Sequence, residues 1–124
     1  RKARKKLKRD KKPTRAQMVK KADAIFGRII RSVGHCQSGR DSHAGALQCA
    51  HGFSRRYHVT RWNSANAWCL CQGCHLFFTM RPEEWQMWME SALGDRYYDL
   101  RDEAIHGDKP DMAVILSALE GMEA

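Results

Sequence analysis

Cys71-Gln72-Gly73-Cys74 places two thiols three residues apart, the spacing at which a pair of thiolates grips one tetrahedral Zn2+. A redox use of the same pair needs a βαβ surround, and no such pattern flanks it. Two more ligands are required. Cys36 is the first choice, because it stands alone in a loop just after a helix stop. For the fourth, both Cys49 and His43 lie between Cys36 and the knuckle, and the choice stays open. His35 is the weaker candidate because it adjoins Cys36. Cys69 sits two before Cys71 on a strand and reads as core. Five cysteines cannot all pair internally, and their clustering points to a structural zinc in a reducing, cytoplasmic setting and not to a secreted disulfide framework.

A second set of chemically capable residues brackets the knuckle: His51 at the end of one strand candidate, Asn66 at the start of the next, and His75 directly after Cys74. These must be positioned by the elements around them. Thr14-Arg15-Ala16-Gln17 fits a capping box, and Met18, Ala22, Ile25 and Ile29 recur at helical spacing beside Phe26, Ile30 and Val33, so a helix runs from about Thr14 to Gly34. Residues 34–46 read as loop. Leu47–His51 and Ala67–Cys71 are short strands separated by a polar, basic loop, and a helix covers about Cys74 to Met80. Pro82 opens another helix, with Trp85, Trp88, Met89 and Ala92 as a core-facing stripe and Gly94 after it. Two more follow, Tyr97–Ile105 and Pro110–Leu119, the last with Met112, Ile115, Leu116 and Leu119 on one face. The expected fold is α+β and mostly helical. Its parts are a basic arm (1–13), an N-terminal helix (14–34), a zinc-bound core (35–80) and a C-terminal helical extension (81–124).

Through "LQCAHGFSRR" (47–56) and "NAWCLCQGCHLFFT" (66–79) the chain resembles the HNH (His-Asn-His, ββα-metal) endonucleases. The resemblance covers residues 36–80, and "FSRRYHVTRWNSAN" with the later "RPEEW" looks like phage-encoded members, recombination-associated nucleases among them. It implies a zinc-stapled ββα-metal core and metal-dependent hydrolysis of DNA (duplex, nicked or branched) that leaves 5′-phosphate and 3′-hydroxyl ends. His51 would be the general base, since an imidazole titrates near neutrality and can take a proton from attacking water. Asn66 would hold the loop and orient His51. His75 would bind one Mg2+ or Mn2+, which neutralises the scissile phosphate. Arg55, Arg56 and Arg61 are candidate phosphate clamps. His58, in the same loop, is a lesser candidate for DNA or metal, and His106 reads as a helix end. Where many members carry Asp or His before the base this chain has Ala50, and four residues after His75 it has Thr79. The cation would then rest on His75, water and the substrate phosphate. Competing functions are a non-catalytic zinc DNA-binding module and a protein-interaction adaptor.

Charge supports a polyanionic partner. The chain has 124 residues and a formal charge of +8, distributed unevenly. Residues 1–40 hold 15 Lys and Arg against Asp10 and Asp23, a net of +13, whereas the remainder nets −5. Nine of the cations fall within the first twelve residues, Lys5, Lys6 and Lys8 among them. Such a run repels itself, should stay disordered, and gains affinity by releasing counterions from phosphates. The acidic closing helices read as scaffold or as a surface for a protein partner. No apolar stretch approaches the ~18 residues of a membrane span, and no apolar signal region is present near the start.

Overall fold

The computed structural model describes residues 11–123. The basic arm's Lys5, Lys6 and Lys8 lie outside the described residues. Helix α1 (Arg15–Arg31) begins at Thr14, whose hydroxyl accepts from Gln17 N while the Gln17 side chain accepts from Thr14 N, so the expected capping box is formed. Strands β1 (Leu47–His51) and β2 (Ala67–Cys71) pair antiparallel with Leu47 opposite Cys71 and His51 opposite Ala67. Four residues of the intervening loop form a short helix, α2 (His58–Arg61), and a 3-10 turn at Ser64–Asn66 leads into β2. Then come α3 (Gln72–Thr79), α4 (Pro82–Leu93), α5 (Arg96–His106) and α6 (Met112–Glu123). The fold is α+β and mostly helical. Among the described residues, no helix is long and apolar enough to cross a membrane.

Alternation along the strands gives the hairpin two unlike faces. Leu47, Cys49, Ala67 and Cys69 meet α1. On that side Ala22, Ile25, Phe26 and Ile30 interlock with Met112, Ile115, Leu116 and Leu119 of α6, the stripes expected from their spacing. Two surface ion pairs lie along the same seam, Lys21 with Glu120 and Arg28 with Glu123, so part of the acidic C-terminus is scaffold. The opposite face, with Ala50 and Leu70, packs against α3 through Cys74 and Phe78. There Trp68 meets Trp85 and Trp88 edge-on, and the last two stack at 5.1 Å. Ala92 is exposed instead of sharing that stripe; Leu93 is the buried residue at the end of α4. The last helix starts at Met112 and not Pro110, which leaves Asp111 free to bond Ala113 N with its carboxylate.

Candidate metal centre and the adjoining cleft

The knuckle forms because β2 runs straight into α3. Cys71 is the N-cap of α3, and its sulfur accepts from Cys74 N at 3.4 Å. The preceding loop is drawn alongside by backbone pairing. Gln37 N donates to Cys69 O at 2.7 Å, and the Gln37 amide oxygen accepts from Cys69 N at 2.8 Å, which brings Cys36 beside Cys71. Gln72 N and Gly73 N donate to Ala46 O and Ala44 O, which folds His43 over the knuckle. Gly45 (φ 82°) makes that approach possible, since a Cβ there would strike the Gln72 side chain.

Cys36, His43, Cys71 and Cys74 consequently hold their ligand atoms within 4.8 Å of one another. His43 Nδ1 lies 3.7 Å from Cys71 Sγ and 3.5 Å from Cys74 Sγ. In a zinc tetrahedron with Zn–S of about 2.3 Å and Zn–N of about 2.0 Å, the S···N edge is about 3.6 Å. The donor set and its spacing fit a tetrahedral metal ion such as zinc. The fourth ligand position belongs to His43. Cys49 stands outside the cluster, because it faces α1 directly opposite Cys69. Burial pushes the Cys49 thiol up to about 11, so it stays a neutral core group. At Cys71 burial works in the same direction, but the N–H groups of Cys74 and Ala44 and the His43 ring outweigh it and bring the thiol down to about 6. Ser38 and Arg40 complete the surround. The Ser38 hydroxyl lies 3.3 Å from Cys36 Sγ and donates to Cys74 Sγ at 3.2 Å, and Arg40 Nη1 donates to Cys74 Sγ at 3.3 Å. These donors offset thiolate charge, the usual task of groups surrounding a metal's ligands.

His51, at the far end of β1, and His75 both border a cleft of about 60 Å³ with Ala50, Leu70, Thr79 and Trp85, while the His51 ring itself packs against Phe26 of α1 with centroids 5.6 Å apart. Each ring is held by a hydrogen bond on one nitrogen. His51 Nε2 donates to Arg61 O at 2.8 Å, which leaves Nδ1 as the basic nitrogen. His75 Nδ1 meets the Gln48 amide oxygen at 2.8 Å, which leaves Nε2 free to ligate. Burial lowers both imidazoles below the usual histidine range. His75 takes no part in the cysteine cluster. Thr79 donates its hydroxyl to His75 O at 2.8 Å, and the unspent ring nitrogens are His75 Nε2 and His51 Nδ1. That donor set does not amount to a preformed Mg2+ site, which would demand several oxygens.

Asn66 is fully buried, and all its bonds go to the loop. Its oxygen accepts from Phe53 N at 2.7 Å, and its amide donates to Phe53 O and Thr60 O. Arg61, expected to clamp phosphate, is instead committed inside the fold. It pairs with Asp23 at 2.6 Å and donates to Arg55 O, with its side chain 14% exposed. Trp62 Nε1 also donates to Asp23. Arg55 touches Asp23 too but is 57% exposed, and Arg56 lies exposed over the Tyr57 ring. His58 is occupied by Arg15 at 3.1 Å. Sequence reasoning passed over Asp23, Gln48, Ser38 and Arg40. Two signals were present: Asp23 is the one acid among residues 11–40, and Gln48 is a polar residue on the same strand face as Ala50.

The chain matches no protein-family model, no curated protein and no solved structure.

Proposed function

We propose that the chain is a metal-dependent DNA endonuclease of the HNH type, with the cysteine-histidine cluster as its structural zinc. The observation that carries this reading is the shared cleft of His51 and His75. Each residue's ring is fixed by a bond to one nitrogen with the other left unspent, the His51 ring lying against Phe26. His51 is half-buried and, with its pKa lowered, neutral at physiological pH, as a base must be. Its Nδ1 would take a proton from water while the water oxygen forms the new bond to phosphorus. The P–O3′ bond breaks, and the departing 3′ oxygen is protonated by solvent. The cleft admits water at about 30 Å³ per molecule but excludes a nucleotide, so the phosphate must approach from outside. His75 Nε2 would be the protein's one ligand to a divalent cation, which supplies charge neutralisation at the phosphate when bound. Gln48 keeps that ring aimed, and Asn66 holds the 52–66 loop whose Arg61 carbonyl aims His51.

The test is nicking of supercoiled plasmid with added Mn2+ or Mg2+, comparing wild type with His51→Ala after both are shown to hold one zinc. Loss of nicking in His51→Ala supports the reading. Equal nicking by both proteins, or none by either, removes it and leaves the zinc DNA-binding module. That rival draws its support from Ala50 and from the spent Thr79 hydroxyl.

A further inference from the structure

His51 borders a second, larger space. Between α1 and the outer edge of β1 lies a groove of about 410 Å³, within the range of small-ligand sites and nearly seven times the volume of the cleft. Arg31, from the last turn of α1, and Arg55, from the loop, stand on its walls, with Gln48 and Cys49 between them. Asp23 is the one carboxylate among its lining residues, and it is already shared by Arg55 and Arg61. The groove keeps a surplus of positive charge.

Arg31 is placed there by a feature of its own helix. Gly27, one turn earlier, is buried, and a Cβ on it would come within 2.8 Å of the Arg31 guanidinium. The missing side chain is what lets Arg31 fold back across the groove. Among the described residues, no hydrogen bond or ion pair engages that guanidinium. β1 has a strand partner on its other side only, so its outer edge is open to the groove.

We propose that this groove seats the nucleic-acid strand whose phosphate reaches the His51 cleft, with Arg31 and Arg55 gripping backbone phosphates, and that Gly27 serves to keep Arg31 across it. The assignment rests on the hydrolytic reading above. It is tested by fluorescence anisotropy of a labelled DNA duplex, without added divalent cation, over a series of salt concentrations. Each phosphate contact contributes about 0.9 to the slope of log affinity against log salt. Arg31→Ala should weaken binding about three- to tenfold and reduce that slope by about 1, with Arg31→Lys recovering part of the loss. Gly27→Ala keeps every charge and should nonetheless weaken binding, with a melting temperature no lower than wild type. Unchanged affinity and slope in Arg31→Ala and Gly27→Ala overturn the groove while leaving hydrolysis at His51 standing. The reverse result, groove-dependent binding by a protein that never nicks DNA, keeps the seat and removes the hydrolysis. A wild-type chain that does not bind DNA removes both.

Discussion

The two ends of the hairpin carry histidines and make opposite use of them. At the Leu47–Cys71 end, four donors from three segments converge, each fixed by backbone pairing and supported by further donors from Ser38 and Arg40. At the His51–Ala67 end, His51 has its ring against Phe26 and borders a small cleft that His75, bonded to Gln48, also lines, and each ring keeps one nitrogen unspent. The first arrangement is saturated and suits a metal that stays. The second is unsaturated and suits ligands that come and go. A structural zinc site is closed and a catalytic one keeps positions open. By that criterion the cysteine-histidine cluster has the form of a closed site.

The sharpest way to break that comparison is to strip the saturated end. With the cluster as a structural zinc site, Cys74→Ser or removal of the metal by a strong chelator should unfold the hairpin and α3, because an apparent zinc affinity of about 10–16 kcal/mol is in effect folding energy. Metal analysis should give one zinc per wild-type chain, and far-UV circular dichroism should report the collapse. Cys49→Ser should keep its zinc. A Cys49→Ser protein that loses zinc would place the fourth ligand wrongly.

The open end should respond in rate and not in fold. His51→Ala should lower nicking by about 10²- to 10⁴-fold, the usual worth of a general base. Its zinc content should be unchanged, while its melting temperature should fall modestly because Arg61 O and Phe26 lose their contact with the ring. A variant that loses zinc along with activity would mean that the two ends are not independent.

Asn66→Ala lies between these cases. It leaves Phe53 N and Phe53 O without their partner in a part-buried setting, at about 1–3 kcal/mol for each group left unsatisfied, while Thr60 O keeps the Asn63 N–H. Urea unfolding should show a loss of a few kcal/mol, with zinc retained. Nicking should fall as well, because the 52–66 loop supplies the carbonyl that aims His51. Full activity in a destabilised Asn66→Ala would make Asn66 a loop clip without influence on the base.

Much of this was legible in the residues. The strands fall at Leu47–His51 and Ala67–Cys71 because apolar runs bounded by Gly and polar residues leave few other registers. The capping box and the α1 and α6 stripes follow from 3.6-residue periodicity. The choice between His43 and Cys49 was not legible, because it depends on which side of β1 packs on α1 and on the 42–46 loop folding over the knuckle, and those are tertiary facts. Short helix α2 was hidden for a related reason. Its order comes from the Asn66 amide and from Asp23 bonding to Arg61, not from any periodicity of its own. The pairing of Arg61 was hidden for the same cause: a charge reads as exposed until its partner, here Asp23, is known.

The smallest effect concerns pH and sharpens the assignment of His51 as a neutral base. Burial lowers its pKa in the fold, against about 6.5 in the unfolded chain. Above pH 6.5 both states carry a neutral ring, and the stability this ring permits is fully present. As pH falls through 6.5 the unfolded chain takes up the proton first, so stability declines, and the decline ends once the folded ring is also protonated. His51→Gln removes the titrating group, so its urea midpoint should drop less than that of wild type between pH 7.5 and 5.5. His58 and His75 are lowered in the same direction and titrate in both proteins, so the difference between the two isolates His51. The nicking rate follows the folded ring and not the unfolded chain, so its acid limb should lie below pH 6.5. A wild-type midpoint that rises on acidification relative to His51→Gln would show the fold favouring the imidazolium, and a ring already protonated cannot accept the proton of the attacking water.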